Sequence, residues 1–195
     1  YTLGNWGVLG AVIFKNWRIE DFTEIEQGFC NYRHGIDWGF AEDPFAYIKS
    51  NYDKTRKRLY VCDEIEAVGL LNKDAAPIVR EKAGTGRVIC DSAEPKSVVD
   101  FKTLRVNAIA AKKGPGSVEF GIKFLQSLEI IVHPRCKNFI SEIRKYKYKE
   151  DKNGVVLPVP VDKDNHLIDA LRYSLEGDMV NKKVGVANKH ALGVR

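Results

Sequence analysis

The sequence has no Cys-x-x-Cys pair, and its cysteines lie far apart, at Cys30, Cys62, Cys90 and Cys136. This spacing argues against a structural zinc site, whose ligands usually come in close pairs. Cys62 and Cys90 lie in apolar, strand-like runs, where cysteine usually acts as a small buried hydrophobe. We therefore expect reduced thiols and a cytosolic protein.

The chain also has no apolar run as long as a membrane span, no signal peptide and no internal repeat. Its 195 residues can bury a core without disulfides, which predicts one domain or one domain with a tail. No heptad pattern or wide apolar stripe is present, so we expect a monomer. The first residue is Tyr1 rather than Met, which predicts a fragment of a longer polypeptide.

The net charge is modest, with 31 basic and 26 acidic residues giving +5. Such an excess permits a polyanionic partner without requiring one. Nearly all of this positive excess lies between Arg135 and Lys152, which contains seven basic and three acidic residues. Tyr146 and Tyr148 alternate with the lysines of this strip. This strip can follow DNA phosphates without reading bases, or it is a solvated helix face and a lysine-protected edge strand. The candidate DNA-binding residues are Lys112, Lys113, Arg144, Lys145, Lys147 and Lys149.

Hydrophobic periodicity predicts an α/β fold. Residues 33–66 contain three strand-like runs separated by turn and loop signals, which indicates an antiparallel meander. Helices and strands then alternate. The predicted helices are 74–83, 94–104, 117–128, one through Phe139 and Tyr146, and 165–175; the predicted strands are 88–90, 106–110 and 130–132. This order predicts a mixed sheet flanked by helices.

An extra β-hairpin is predicted near residues 146–161. Asn153-Gly154 is a strong short hairpin signal, and extended residues flank it. Pro158 and Pro160 keep this ribbon at a sheet edge or free of a sheet. Beyond Gly177 the periodicity is lost. We therefore predict a leading segment over residues 1–31 that packs on the domain, a folded domain over 32–178 and a mobile tail over 179–195.

Three separated aspartates are the candidate chemical groups. Asp37 alternates with large apolar residues, Asp91 follows an apolar strand, and Asp169 is three residues after His166 on one helix face. Mg²⁺ and Mn²⁺ prefer oxygen ligands, and two such ions about 3.5–4 Å apart can cut a phosphodiester. Crowded carboxylates repel, so at least one pKa should be raised until a cation binds.

Structural roles for these aspartates remain open. Asp37 can face solvent on a one-sided sheet, and Asp91 or Ser92 can cap the next helix. Asp169 can pair with Arg172 within a helix capped by Asp162 or Asp164, and His166 can be a surface residue. The competing acids are Asp43, Asp63, Glu64, Glu66 and Asp100. Asp63 and Glu64 close the third strand and can enter the site, but we expect them to be solvated strand ends.

Three segments in this order resemble the nuclease domain of the large terminase subunit of tailed bacteriophages. They read Gly35-Ile36-Asp37-Trp38-Gly39-Phe40, Val88-Ile89-Cys90-Asp91-Ser92 and Asn165-His166-Leu167-Ile168-Asp169-Ala170-Leu171-Arg172-Tyr173. Gly4-Asn5-Trp6-Gly7 resembles the segment leading out of the terminase ATPase domain, so the resemblance covers about residues 1–178. It implies a ribonuclease H-like fold and a metal-dependent endonuclease. Asp37, Asp91 and Asp169 would bind Mg²⁺ or Mn²⁺, two ions in all, with His166 beside them.

The resemblance also implies partners. The family cuts concatemeric double-stranded viral DNA during capsid filling in the host cytoplasm, and a full-length member works with an ATPase domain, a portal and a small terminase subunit. The Asn153-Gly154 ribbon resembles a hairpin that limits access to the active site in some members. No Gly-x-x-x-x-Gly-Lys-Ser/Thr loop occurs, so ATP-driven translocation is not predicted for this chain. The alternatives are another ribonuclease H-like nuclease, such as a junction resolvase, or a non-catalytic module that docks on DNA or a partner.

Overall fold

A seven-stranded mixed sheet organises the protein, with helices on both faces and a separate two-stranded hairpin. The structure is a computed structural model that describes residues 11–39 and 41–179. The Gly4–Gly7 motif, Phe40 and the predicted tail from residue 180 onward lie outside the described residues. Within the described ranges, no helix combines the length and the apolar character needed to cross a membrane.

The elements follow the predicted order. The strands are β1 Trp17–Ile19, β2 Tyr32–Asp37, β3 Phe45–Asp53, β4 Arg58–Ala67, β5 Val88–Cys90, β6 Ala108–Ala110, β7 Glu129–Val132, β8 Tyr148–Glu150 and β9 Val156–Pro160. The helices are α1 Thr23–Glu26, α2 Asn72–Ala83, α3 Pro95–Thr103, α4 Ser117–Gln126, α5 Lys137–Lys145 and α6 His166–Ser174, followed by a 3-10 turn at Glu176–Asp178. The sheet order is β1-β7-β4-β3-β2-β5-β6. Strands β2, β3 and β4 form the antiparallel meander, and the other neighbours are parallel, which confirms the predicted mixed sheet.

Different helices pack on the two faces of the sheet, and successive side chains of each strand point to opposite faces. Ile36 of β2 packs with Val79 of α2 and Phe101 of α3 in one cluster. Ala46 of β3 belongs to a second cluster, with Leu171 of α6 and residues of α4 and α5. The helix that carries Asp169 therefore lies on the face opposite Ile36.

The strand that carries Asp37 is shorter than its alternating sequence indicates. β2 ends at Asp37 itself, so Trp38 leaves the ladder instead of continuing it. The Trp38 indole donates a hydrogen bond to the carbonyl of Asp91 at 2.8 Å, and its ring centroid lies 5.0 Å from that of Phe101. Burying the ring with its N–H satisfied favours this departure from extended structure.

The predicted hairpin is present as β8 and β9, apart from the large sheet. Its loop is longer than a two-residue Asn-Gly turn, because the Asp151 carboxylate accepts hydrogen bonds from the amides of Asn153 and Val155, both at 2.8 Å. Gly154 has a φ of 78°, which glycine adopts without strain. The two prolines of β9 are accommodated because they lie outside the seven-stranded sheet.

Residues ahead of the predicted domain also contribute to the sheet. Trp17–Ile19 forms the edge strand β1, parallel to β7. The amide of Ile13 donates to the carbonyl of Tyr146 at 3.0 Å, and the amide of Tyr148 donates to the carbonyl of Ala11 at 2.8 Å. The segment before β2 is thus hydrogen-bonded both to the sheet and to the chain entering the hairpin.

Candidate active site

The site begins with a row of residues that crosses the sheet. Asp37 pairs with Ala46 of β3, and Ala46 pairs with Glu66 of β4. Directly paired residues share a face, so Asp37 and Glu66 point to the same side, with a small alanine between them. The amide of Asp91 donates to the carbonyl of Ile36 at 2.9 Å, which extends the parallel β2–β5 ladder and brings Asp91 beside Asp37.

Helix α6 lies directly on the backbone of β2. A Cβ atom built at Gly35 would lie 1.8 Å from the carbonyl oxygen of Ala170, so only glycine permits this approach. Because Gly35 and Asp37 are two residues apart, they share the face that α6 covers. The close approach carries Asp169 and His166 to the same end of the sheet as Asp37.

Each of the three carboxylates has a basic side chain as its neighbour. Asp37 Oδ2 lies 3.1 Å from His166 Nδ1, and Asp169 Oδ1 lies 3.2 Å from Arg172 Nη2. Asp91 Oδ1 pairs with Lys113 Nζ. The Asp169–Arg172 pair expected from a purely structural reading therefore exists, but inside a constellation that also contains the other two acids.

The pKa shifts follow from burial and from mutual repulsion. Burial is the larger cause that raises the pKa of Asp37, and the charge of Asp91 raises it further while His166 opposes the shift. Burial likewise raises the pKa of Asp169, Arg172 lowers it, and the charge of Asp37 raises it. The hydrogen bond to Asp37 is the main cause that raises the pKa of His166. Asp37 is thus within electrostatic reach of both Asp91 and Asp169.

The donor types fit a hard divalent cation, since carboxylate oxygens suit Mg²⁺ and Mn²⁺. No three His, Cys, Asp or Glu side chains in the described residues are arranged to hold a metal ion as they stand. Lys113 and Arg172 now contact Asp91 and Asp169. Both contacts go to the Oδ1 atom of the carboxylate. Because an ionised carboxylate has two acceptor oxygens, a cation can bind Asp91 and Asp169 beside these two side chains.

The structure shows which of the competing acids lie near the candidate site and which do not. Asp43 Oδ1 lies 3.6 Å from His166 Nε2, and burial raises the pKa of Glu66, which lies within electrostatic reach of His166. Glu64 instead accepts hydrogen bonds from the amides at the start of α5, and Asp63 pairs with Lys82. The remaining acid, Asp100, accepts a hydrogen bond from the Asn72 side chain at 3.1 Å. Asp43 and Glu66 therefore extend the acidic surroundings of His166.

Two capping expectations are corrected in detail. The N-cap of α6 is Asn165, rather than Asp162 or Asp164, and it makes no side-chain cap hydrogen bond. The Asp91 carboxylate does accept the amide of Ala93, at 2.9 Å, although the N-cap of α3 is Glu94. Asp91 thus combines a turn role with its place beside Asp37.

Glu142 was missed by the sequence reasoning. It is buried on α5, and its carboxylate accepts hydrogen bonds from the amides of Leu167 at 3.1 Å and Ile168 at 2.6 Å. A signal was present in the sequence, because Glu142 follows Phe139 by three residues and lies on the same apolar stripe as Ile143. An acid on such a stripe needs a hydrogen-bonding partner.

Most of the candidate DNA-binding residues keep their charges at the surface. In the basic strip Arg144, Lys145, Lys147 and Lys149 are exposed, and so is Lys112 outside it. Tyr146, by contrast, is buried and stacks on Phe14 with ring centroids 6.1 Å apart, so it is not available to bases. Lys113 departs most from its predicted place, because it contacts Asp91 and its Nζ lies 5.2 Å from the Tyr173 ring centroid.

Comparisons with known proteins identify relatives of the whole domain. The model of the family described as "Terminase RNAseH like domain" matches residues 37–177. The large terminase subunit of Bacillus phage SPP1 is 42% identical over 186 residues, covering 91% of this chain and 44% of that protein. The PBSX phage terminase large subunit of Bacillus subtilis (strain 168) is 28% identical over 180 residues, covering 89% of this chain and 42% of that protein. The chain therefore spans less than half the length of these relatives.

Solved structures give the same result. The crystal structure of the g2p (large terminase) nuclease domain from bacteriophage SPP1 with bound Mn is 39% identical, with a TM-score of 0.78, covering 85% of this chain and 98% of that one. The P22 large terminase nuclease domain, at 20% identity and a TM-score of 0.62, covers 76% of this chain and 82% of that one and shares the fold. The ribonuclease H-like fold is thereby confirmed, and the chain belongs to the terminase RNase H-like domain family.

Proposed function

We propose that this chain is a metal-dependent endodeoxyribonuclease that cuts concatemeric double-stranded DNA for a viral packaging motor. One observation carries the proposal. The strand ends and the helix that bear Asp37, Asp91 and Asp169 meet at one place on the sheet, in a chain 39% identical to a domain crystallised with Mn. In a full-length protein, an ATPase domain, a portal and a small terminase subunit would be its partners, in the cytoplasm of an infected host cell.

Asp37, Asp91 and Asp169 would hold two Mg²⁺ or Mn²⁺ ions. Such ions activate the attacking water and stabilise the leaving oxygen. His166 orients Asp37 through Nδ1, and its Nε2 atom, on the side of Asp43, is placed to carry a proton. Lys113 and Arg172 each contact one oxygen of Asp91 and Asp169, and would orient these carboxylates toward the ions. The Lys113 ammonium, beside Asp91, would also attract a DNA phosphate, in keeping with its predicted role on DNA.

The test is cleavage of supercoiled plasmid by the purified chain. We expect nicked and linear DNA with Mn²⁺ or Mg²⁺, and intact DNA with EDTA, because the carboxylates alone supply no Lewis acid. One observation favours the non-catalytic alternative, since each of the three aspartates already has a basic side chain as its partner. DNA binding without cutting in each divalent metal would support that alternative, and a strong preference for four-way junctions would support a resolvase.

The exposed lysines of the strip should act on DNA of any sequence. Lys145→Ala combined with Lys149→Ala is expected to weaken binding uniformly, because lysine neutralises phosphates and releases counterions. The slope of log affinity against log salt should fall by roughly 0.9 for each phosphate that the variant no longer neutralises. Fluorescence anisotropy with two unrelated duplexes, with Ca²⁺ replacing Mn²⁺, measures this.

Lys123→Ala is the matched control. Lys123 is equally a surface lysine, but it lies on α4 and pairs with Glu119 at 2.7 Å. Its removal should leave the salt slope unchanged. If the double variant has the same slope as Lys123→Ala, the strip is a solvated face and the DNA track lies elsewhere.

A further inference from the structure

Helix α6 begins without a side-chain cap of its own. The first amides of an α-helix have no partner within the helix and need an external acceptor. In α6 the acceptor comes from another helix, since the Glu142 carboxylate of α5 receives the amides of Leu167 and Ile168. These are the second and third residues of α6, where a capping side chain normally binds.

This interaction is a specific structural feature. Glu142 is only 7% exposed, and a buried carboxylate is costly unless hydrogen bonds compensate for the missing water. Burial raises the pKa of Glu142 to about 8, while the amides of Ile168 and Leu167 act in the opposite direction. The positive end of the helix dipole adds a further attraction for the charged form.

The Glu142 carboxylate holds the turn that carries the chemistry. Leu167 and Ile168 lie between His166 and Asp169 in the chain. A displacement of this turn would change the 3.1 Å distance between His166 Nδ1 and Asp37 Oδ2. It would also change how far Asp169 reaches toward the other two carboxylates. Because metal sites depend on ligands held by rigid supports, such a displacement weakens cation binding.

We propose that Glu142 is a positioning residue for the metal site, acting through the first turn of α6. Its hydrogen bonds come from the backbone amides of Leu167 and Ile168, and not from the three aspartates. Its role is to fix the direction in which Asp169 and His166 leave the helix. This inference rests on the proposed function, because it assigns a support to the same cation site.

The chain supplies its own matched control in Glu64. Its carboxylate accepts the amides of Asn138 and Phe139, both at 2.8 Å, which are the second and third residues of α5. The chemistry is the same, a glutamate from a neighbouring element capping a helix start. Helix α5 carries none of the three aspartates, although it carries Glu142 one turn further on. Removing this cap therefore breaks comparable hydrogen bonds while both acceptor oxygens of Glu142 remain, and hydrogen exchange at Leu167 reports whether the turn that bears Asp169 is disturbed.

The experiment compares Glu142→Gln with Glu64→Gln. Glutamine keeps the size of the side chain, but its NH₂ group cannot accept a hydrogen bond, so each variant retains about one of two acceptors. Isothermal titration should show Mn²⁺ binding to Glu142→Gln weakened about tenfold or more, the range seen when supports of metal ligands are removed. Glu64→Gln should bind Mn²⁺ like the unaltered protein. Hydrogen exchange should accelerate at Leu167 in the first variant and at Asn138 in the second.

The outcomes separate the inference from the function it supports. If the unaltered protein binds no Mn²⁺ and cuts no DNA, the proposed function fails. If it binds and cuts while Glu142→Gln binds Mn²⁺ equally well, the positioning role is refuted. It is also refuted if Glu64→Gln weakens binding as much while hydrogen exchange at Leu167 stays unchanged, whereas faster exchange at Leu167 in that variant would show the same effect transmitted through α5. Should Glu142→Gln not fold, Glu142→Asp keeps both oxygens but withdraws them, and the same comparison with Glu64→Asp applies.

Discussion

Asp37→Asn should reduce Mn²⁺-dependent cleavage by at least about 10³-fold, which corresponds to about 4 kcal/mol of transition-state stabilisation. Asp37 is the central acid of the site, because the charge of Asp91 raises its pKa and its own charge raises that of Asp169. Asparagine keeps one oxygen but lacks the charge that attracts a divalent cation. Asp169→Asn should have the same effect for the same reason.

The stability of the Asp37→Asn and Asp169→Asn proteins should not fall with their activity. Because burial raises the pKa of both Asp37 and Asp169, their charged forms oppose folding, and a neutral side chain of equal size removes that cost. We therefore expect inactive variants whose free energy of unfolding at pH 8 is unchanged or slightly higher. Plasmid cleavage and urea denaturation on the same preparations measure the two effects.

Asp63→Asn is the control for this pair. Asp63 lies on β4 of the same sheet and was an alternative candidate acid in the sequence analysis. In the structure it pairs with Lys82 of α2, away from the candidate site. Cleavage by this variant should stay within a few-fold of the unaltered protein. Activity that survives both Asp37→Asn and Asp169→Asn would show that the metal site has been assigned to the wrong residues.

The fold class and the faces on which the candidate aspartates lie could be predicted from the sequence, because both depend on local patterns of residues. Alternation along β2 places Asp37 opposite Ile36, and the three-residue spacing of His166 and Asp169 places them on one helix face. Such periodicities follow from backbone geometry and need no knowledge of distant contacts. The order of the elements then leads to a mixed sheet with helices on both faces.

The pairing of side chains that are distant in sequence could not be predicted. Lys113 follows Asp91 by 22 positions, and nothing in its surroundings indicates that it holds that carboxylate instead of standing free for DNA. The capping of α6 by Glu142 likewise depends on how α5 crosses the start of α6. These contacts are decided by how the elements pack. Several lysines or glutamates could make the same contact, and the sequence does not show which of them lies close enough.

Gly35→Ala should lower the free energy of unfolding by at least about 3 kcal/mol, the upper part of the range for overpacked positions. The added Cβ would lie 1.8 Å from the carbonyl oxygen of Ala170 and 2.7 Å from its carbonyl carbon. Both atoms belong to helix backbone, which cannot rotate away as a side chain does. Gly114→Ala is the control, because a Cβ there meets nothing within 4 Å and the variant should match the unaltered protein in urea denaturation.

The same substitution tests whether the approach of α6 to β2 builds the site. If Gly35→Ala folds at low temperature, α6 must move outward from β2, and Asp169 must withdraw from Asp37 with it. Mn²⁺ binding should then be abolished under conditions where circular dichroism still shows a folded protein, whereas Gly114→Ala binds normally. Full Mn²⁺ affinity in a folded Gly35→Ala protein would mean that Asp169 does not depend on this close approach. The cation site would then have to be built from Asp37, Asp91 and other neighbours, with Glu66, on the same row of the sheet, as the first candidate.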